Sequence, residues 1–180
     1  DDSPYSDWSP LISKVELLIG GQVIDEQDST FTEFIAVDDL AQSVSKSSNG
    51  PHGGNGVTSK FYPLRFWFCE NWHSALPLVA LQYHTVEIRI TWGSSPPTGM
   101  KCYANYIYLD KDERRKVAKE PVTDFLITQV QKNIASNEKI QELTFNHPIK
   151  FLASKNGNLT STSKVKLQIN GNDVDDFKAG

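Results

Sequence analysis

Alternation of apolar and polar positions predicts β-strands over most of the chain. Val15, Leu17 and Ile19 alternate with Glu16 and Leu18, and Gly20-Gly21 follows as a turn signal before Val23-Ile24, so this stretch reads as a β-hairpin. Residues 62–69, YPLRFWFC, place Leu64, Phe66 and Phe68 on one strand face and Arg65, Trp67 and Cys69 on the other, with both faces largely covered. The run ALPLVALQYHTVEIRI, 75–90, is apolar but interrupted by Gln82, Tyr83 and His84. KCYANYIYL, 101–109, resumes as an aromatic-rich strand, and FLITQV, 125–130, fits a strand with a helix as competitor. Two further strand candidates follow, 143–152 broken at Pro148, and 165–169. The one firm helix signal is Asp110 three residues before Glu113, a capping-box spacing that predicts a short helix to about Ala118, ended by Pro121. Residues 31–40 fit a short helix or a loop, and the stretches 43–59 and 93–99, rich in Ser, Gly and Pro, read as exposed loops. Mostly strand with one short helix favours an all-β sandwich or jelly roll over an α/β fold.

An internal repeat extends the reading. VELLIGGQVID, 15–25, lies on VKLQINGNDVD, 165–175, with Val, Leu, Ile, Gly and Asp at matching offsets and a shift of 150 residues, the size of one β-domain. Generic hairpin grammar is one explanation. The other is a tandem of two like domains, with the later part of the first and the beginning of the second in this chain.

Composition narrows the function classes. The chain has 180 residues, 38% of them hydrophobic, enough for one sizeable core, and length alone allows one or two domains. Eighteen basic and 22 acidic side chains leave a formal charge of -4, with no long block of either sign, which argues against nucleic acid or an anionic membrane surface as partner. The apolar stretches fall far short of the roughly 20 residues that span a bilayer, and no signal-peptide pattern opens the chain, so it reads as soluble. It begins on Asp1 without Met and stops at Gly180 soon after a strand-like segment, which suggests a piece of a longer protein. Cys69 and Cys102 have no CxxC spacing and read as buried free thiols.

Candidate chemistry is thin. Among His52, His73, His84 and His147, His84 with Glu87 has the spacing of a metal pair if the segment is helical, but strand phase points the two side chains to opposite faces. His84 reads instead as a hydrogen-bonded histidine at the edge of a core, and Gln82-Tyr83-His84 as buried polar groups fixing register at the approach to a strand. A cupin-type metalloenzyme would want a second histidine at 82 or 86, and neither position has one. No nucleophile elbow, P-loop or dinucleotide fingerprint is present. Asp110, Asp112 and Glu113, followed by Arg114, Arg115 and Lys116, are accounted for by capping and local ion pairing. Phe61, Tyr62, Phe66, Trp67, Phe68 and Trp72 could form a sugar-stacking platform, but their alternation fits core packing better. No catalytic, cofactor-binding or metal-binding residue is assigned. Asn158-Leu159-Thr160 is a candidate glycosylation sequon.

FYPLRFWFCENWHSALPLVALQYHTVEIRI, 61–90, closely resembles the signature region of the major capsid proteins of nucleocytoplasmic large DNA viruses, the group of the chlorella viruses and iridoviruses. VELLIGGQVID at 15, YANYIYLDKDERRKVA at 103–118, FLITQVQ at 125, LTFNHPIKFLA at 143 and VKLQINGNDV at 165 look like further family blocks in the family's order. The resemblance implies an all-β double jelly roll, two tandem eight-stranded antiparallel sandwiches, here a partial chain with residues 1–132 the later part of the first roll and 133–180 the beginning of the second. It also implies a structural, non-enzymatic role without cofactor: homotrimers of pseudo-hexagonal outline that tile an icosahedral virion shell, assembled in the infected host cell. The expected partners are further copies of the chain, neighbouring capsomers and minor capsid proteins, with no direct nucleic-acid contact and no membrane insertion. Loops 43–59 and 93–99 are the expected subunit or outer-surface contacts. Two departures stand out: Asn71-Trp72-His73-Ser74 replaces the family's usual Asn-Pro-Gly, and the connection between 151–154 and 165–168 is short, which leaves surface decoration, glycans included, least safely carried over. The rival is a jelly-roll carbohydrate-binding module, which needs an exposed aromatic row from Trp67, Trp72 and Trp92.

Overall fold

A computed structural model of the chain describes residues 8–35, 62–119, 126–134, 140–153, 164–174 and 178–179. The chain divides into two compact units, 1–149 and 150–180.

The first unit is organised by a three-stranded antiparallel sheet of β1 (Ile12–Ile19), β2 (Gln22–Asp28) and β3 (Val86–Trp92), in the order β2-β1-β3. Ile19 pairs with Gln22, so the β1-β2 loop is Gly20-Gly21 alone, with φ of 61° and 79°. Two successive positive φ values define a type I′ turn, whose twist matches that of the strands it joins. Past the turn Leu18 faces Val23 but Leu17 faces Asp25, so Ile24 is an extra residue, a β-bulge. On the other side β1 pairs with β3 from Ile19↔Val86 to Ile12↔Trp92, with Ser13 as a second extra residue.

The ladder continues beyond the strand ends. The Gly20 amide donates to Thr85 O at 2.9 Å, and the Gly93 and Ser95 amides donate to Leu11 O and Pro10 O, each at 2.8 Å. Gly93 passes so close to Pro10 that a Cβ there would lie 2.3 Å from the Pro10 carbonyl oxygen.

Val15 and Leu17 point into a core with Trp8, Leu11, Ile12, Phe66 and Trp67, against which Val86 and Ile90 of β3 also pack. The opposite face of β1 is covered as well, since Leu18 and Glu16 are both buried. Residues 62–69 do not form the strand their alternation suggests. The chain is extended to Phe66 and then closes a single 3-10 turn over Trp67–Cys69, with the Cys69 amide donating to Phe66 O at 2.9 Å. The turn delivers sequence neighbours to the same core, Phe66 at 0% and Trp67 at 4% exposure. Phe68 packs on both, stacked 5.7 Å from Phe66 and edge-on 5.3 Å from Trp67. A second 3-10 turn over Trp72–Ser74 is capped by Asn71, whose Oδ1 accepts from the Ser74 amide at 3.0 Å and the Ser74 hydroxyl at 3.1 Å. This capped turn occupies the Asn-Trp-His-Ser departure from the family pattern.

Helix α1 (Lys111–Lys119) forms where the capping box predicts it. Asp110 Oδ1 accepts from the amides of Asp112 at 2.9 Å and Glu113 at 2.8 Å, while Glu113 Oε2 reaches back to the Asp110 amide at 3.4 Å. A wide helical turn over Phe31–Ile35 begins on Asp28, whose Oδ1 accepts from the Phe31 amide at 2.8 Å. The strand-like stretches 101–109, 126–130 and 143–152 join no ladder among the described residues.

In the second unit β4 (Lys164–Val165) pairs with β7 (Lys178–Ala179), and β5 (Gln168–Ile169) pairs with β6 (Asn172–Asp173). The strand expected over 165–169 is therefore two short pieces. Ile169 pairs with Asn172 around Asn170-Gly171, with φ of 51° and 78°. This is again a type I′ turn, at the position 150 residues after Gly20-Gly21 that the sequence repeat marks.

Three substitutions test this packing by denaturant unfolding of the full-length protein. Phe66→Ala is expected to cost about 3–5 kcal/mol, the range for an aromatic side chain removed from a core. Gly93→Ala should lose more stability than Gly21→Ala. At Gly21 an added methyl meets open space and carries only the left-handed backbone strain, about 1–2 kcal/mol, whereas at Gly93 it meets a backbone carbonyl.

Candidate assembly surface

Among the described residues no group of three or more His, Cys, Asp or Glu side chains is placed to hold a metal ion, and no helix is long and apolar enough to cross a membrane. Gln82, Tyr83 and His84 are exposed, contrary to their expected role as buried polar groups. They end a series of turns that precedes β3, with the His84 amide donating to Leu81 O at 2.8 Å, and so never enter the pleat that would bury them. The His84 ring instead lies over the β1-β2 turn, its Nδ1 3.0 Å from where a Cβ on Gly20 would stand. Asp110 and Glu113 are engaged in capping.

Cys69 and Cys102 are free and exposed, which corrects the expectation of buried thiols. Cys69 follows the turn that buries Phe66 and Trp67, and Cys102 lies in an unpaired stretch, so neither has a sheet face above it. His52, Asn158 and loop 43–59 lie outside the described residues.

Trp67, Trp72 and Trp92 do not form the exposed row expected of a sugar-binding module. Trp67 is in the core, Trp72 is 81% exposed on the Asn71-capped turn, and Trp92 ends β3. Tyr62 and Phe68 pack against the core cluster, and Tyr62 meets Trp8 edge-on at 5.4 Å.

Electrostatics on the sheet are those of a covered scaffold. Glu16 faces Glu26 on β2 and Arg89 on β3. Like charges directly opposite are unfavourable, and Lys14 relieves them by donating to Glu26 at 3.0 Å and Glu16 at 3.1 Å. Those hydrogen bonds, Glu26 first, hold the Lys14 ammonium above the ordinary lysine pKa.

Against this scaffold stand many large apolar side chains open to solvent, among them those in 103–108, 126–134 and 140–143. Tyr108 is 90% and Leu126 91% exposed, and Tyr103, Ile134 and Ile140 are similarly open. Loop 93–99 is largely exposed and tied down only at its start, through Gly93 and Ser95. The sequence contains all these residues, but only the absent ladders show that their side chains are uncovered.

The family described as "Major capsid protein N-terminus" matches residues 6–96. The major capsid protein of Pyramimonas orientalis virus is 35% identical over 91% of this chain and 48% of its own length. That of Paramecium bursaria Chlorella virus 1 is 31% identical over 83% of this chain and 41% of its own length. The chain thus spans about half the length of these relatives, or less. A quasi-atomic model of the PBCV-1 virus capsid superposes with a TM-score of 0.52 at 27% identity, over 72% of this chain and 36% of that one. A PBCV-1 crystal structure fitted into a reconstruction of the virophage Sputnik gives a TM-score of 0.51 at the same identity and coverage. The family and its relatives are structural shell proteins and not enzymes, and the chain belongs to the major capsid proteins of the nucleocytoplasmic large DNA viruses.

Proposed function

We propose that the chain works as part of a double jelly-roll major capsid protein whose homotrimers, pseudo-hexagonal in outline, tile an icosahedral virion shell. The observation that carries this reading is the superposition on the PBCV-1 capsid at a TM-score of 0.52. The repeated hairpin supports it: each compact unit holds one type I′ turn, 150 residues apart, as tandem rolls would. The match of residues 6–96 to the N-terminal part of the family supports placing those residues in the first roll; in this reading that roll runs to 132 and the second begins at 133, whereas the compact units divide at 149/150.

The physical work in this reading is association. Burial of apolar area between sheets holds each roll, and the exposed side chains of 103–108, 126–134 and 140–143 are covered by the rest of the roll and by neighbouring subunits. Its partners are further copies of the chain, adjoining capsomers and minor capsid proteins; nucleic acid and membrane are not contacted directly. Asn158 is the candidate glycan acceptor.

Mass measurement and electron microscopy of the full-length protein test the reading. The expected particle is a trimer with a six-sided outline, and a persistent monomer at concentrations near those of assembly would refute it. Peptide mass spectrometry of virion-derived protein is expected to show added glycan mass on the peptide that contains Asn158, and an unmodified peptide would withdraw that assignment.

A further inference from the structure

β2 has β1 along one side and, among the described residues, no strand along the other. An edge strand of this kind presents a row of backbone groups on which a strand from another chain can pair. Such pairing would compete with any ordered packing of one copy against the next.

Segment 126–134 lies against this edge. Gln129 Nε2 donates to the carbonyl of Ile24 at 2.6 Å, the Val130 amide to Asp25 Oδ1 at 2.8 Å, and Lys132 Nζ to Asp28 Oδ2 at 3.0 Å. The partners ascend together, so the segment runs in the same direction as β2. It forms no ladder with β2, and each of these contacts uses a side chain on one partner or the other. A side-chain amide thus occupies the Ile24 carbonyl, a backbone group that a further strand could otherwise use. The segment itself is largely exposed, with Leu126 and Ile134 open to solvent, so polar ties rather than apolar burial hold it in place.

Three other features of β2 act in the same sense. The bulge at Ile24 breaks the regular spacing that an incoming strand would have to match. Asp25 turns a carboxylate inward, opposite Leu17, where it is buried. Within seven residues the strand carries Asp25, Glu26 and Asp28 and no basic side chain. Bulges, inward-pointing charges, charged edge residues and a covering segment are each ways in which sheets protect an edge, and β2 combines all four.

We propose that segment 126–134 is an edge guard: held on β2 by its polar ties, it keeps that strand from pairing with a strand of another copy of the chain. The guard goes beyond the shell-building reading, because it concerns an association that is prevented.

The test loosens the guard in the full-length protein. Gln129→Ala removes the donor at Ile24, and Val130→Pro removes the amide donated to Asp25, while Lys132 stays in place so that the charge along the edge is unchanged. Sedimentation of the double variant over a concentration series is expected to show added species at about twice the wild-type mass and above, reversible on dilution, where wild type keeps its mass. In those species the 22–28 peptide should gain hydrogen-exchange protection that it lacks at low concentration. A variant that keeps the wild-type mass throughout, or that associates without added protection on β2, would overturn the proposal. If the double variant does not fold, Gln129→Ala alone decides by the same measurements, since it alters only an exposed side chain. Each variant is compared with wild type at equal concentration, so the result is independent of whether wild type forms a trimer.

Discussion

Everything described in the first unit hangs on β1 being a central strand covered on both faces. It is paired along both edges, by β2 across a two-residue turn and by β3 across a gap of more than sixty residues of sequence. Its side chains fill both sides: Val15 and Leu17 join the Trp8, Phe66 and Trp67 cluster, and Glu16 and Leu18 are buried opposite. A strand so placed has no tolerance for register slip, because a shift of one residue would carry Glu16 into the aromatic core. The bulges at Ser13 and Ile24 and the close pass of Gly93 over Pro10 are local consequences of fitting two neighbours to this strand.

β2 is less orthodox, since on the core side it contributes Asp25 and Gln27 opposite Leu17 and Val15. Buried polar side chains are tolerated when their donors and acceptors are met. Here they are met by groups distant in sequence, the carbonyl of Arg65 and the amide of Val130. The polar pair thus converts a hairpin into an attachment site for two other segments, which an apolar pair at the same positions would not do with the same directionality. The bulge serves the same end by turning the Ile24 carbonyl toward Gln129.

Local features were legible from sequence in proportion to how local their physics is. Gly20-Gly21 and Asn170-Gly171 demand positive φ at two successive residues, and the Asp110 to Glu113 box satisfies helix-end amides within one turn, so short windows suffice for all three. The stretches at 62–69, 101–109, 126–130 and 143–152 have comparable strand patterns and no ladder among the described residues. A strand is a property of a pair. Alternation reports that a segment can be half-buried, not that a neighbour is there to bury it. The same gap explains the misplacement of His84 and the two cysteines, whose exposure depends on whether a pleat or a turn holds them.

By itself, then, the sequence determined the hairpins and their repeat, the capped helix and, through its blocks of similar residues, the viral capsid family. Only the tertiary structure decided that Phe66 and Trp67 share one core, that Asp25 faces inward, and that the amide of Val130, 105 residues away, donates to it. The division follows the range of the forces. Backbone sterics and capping act within a few residues and leave their mark in composition. Burial and cross-segment hydrogen bonds depend on which distant surfaces meet, and no short window of sequence contains that information.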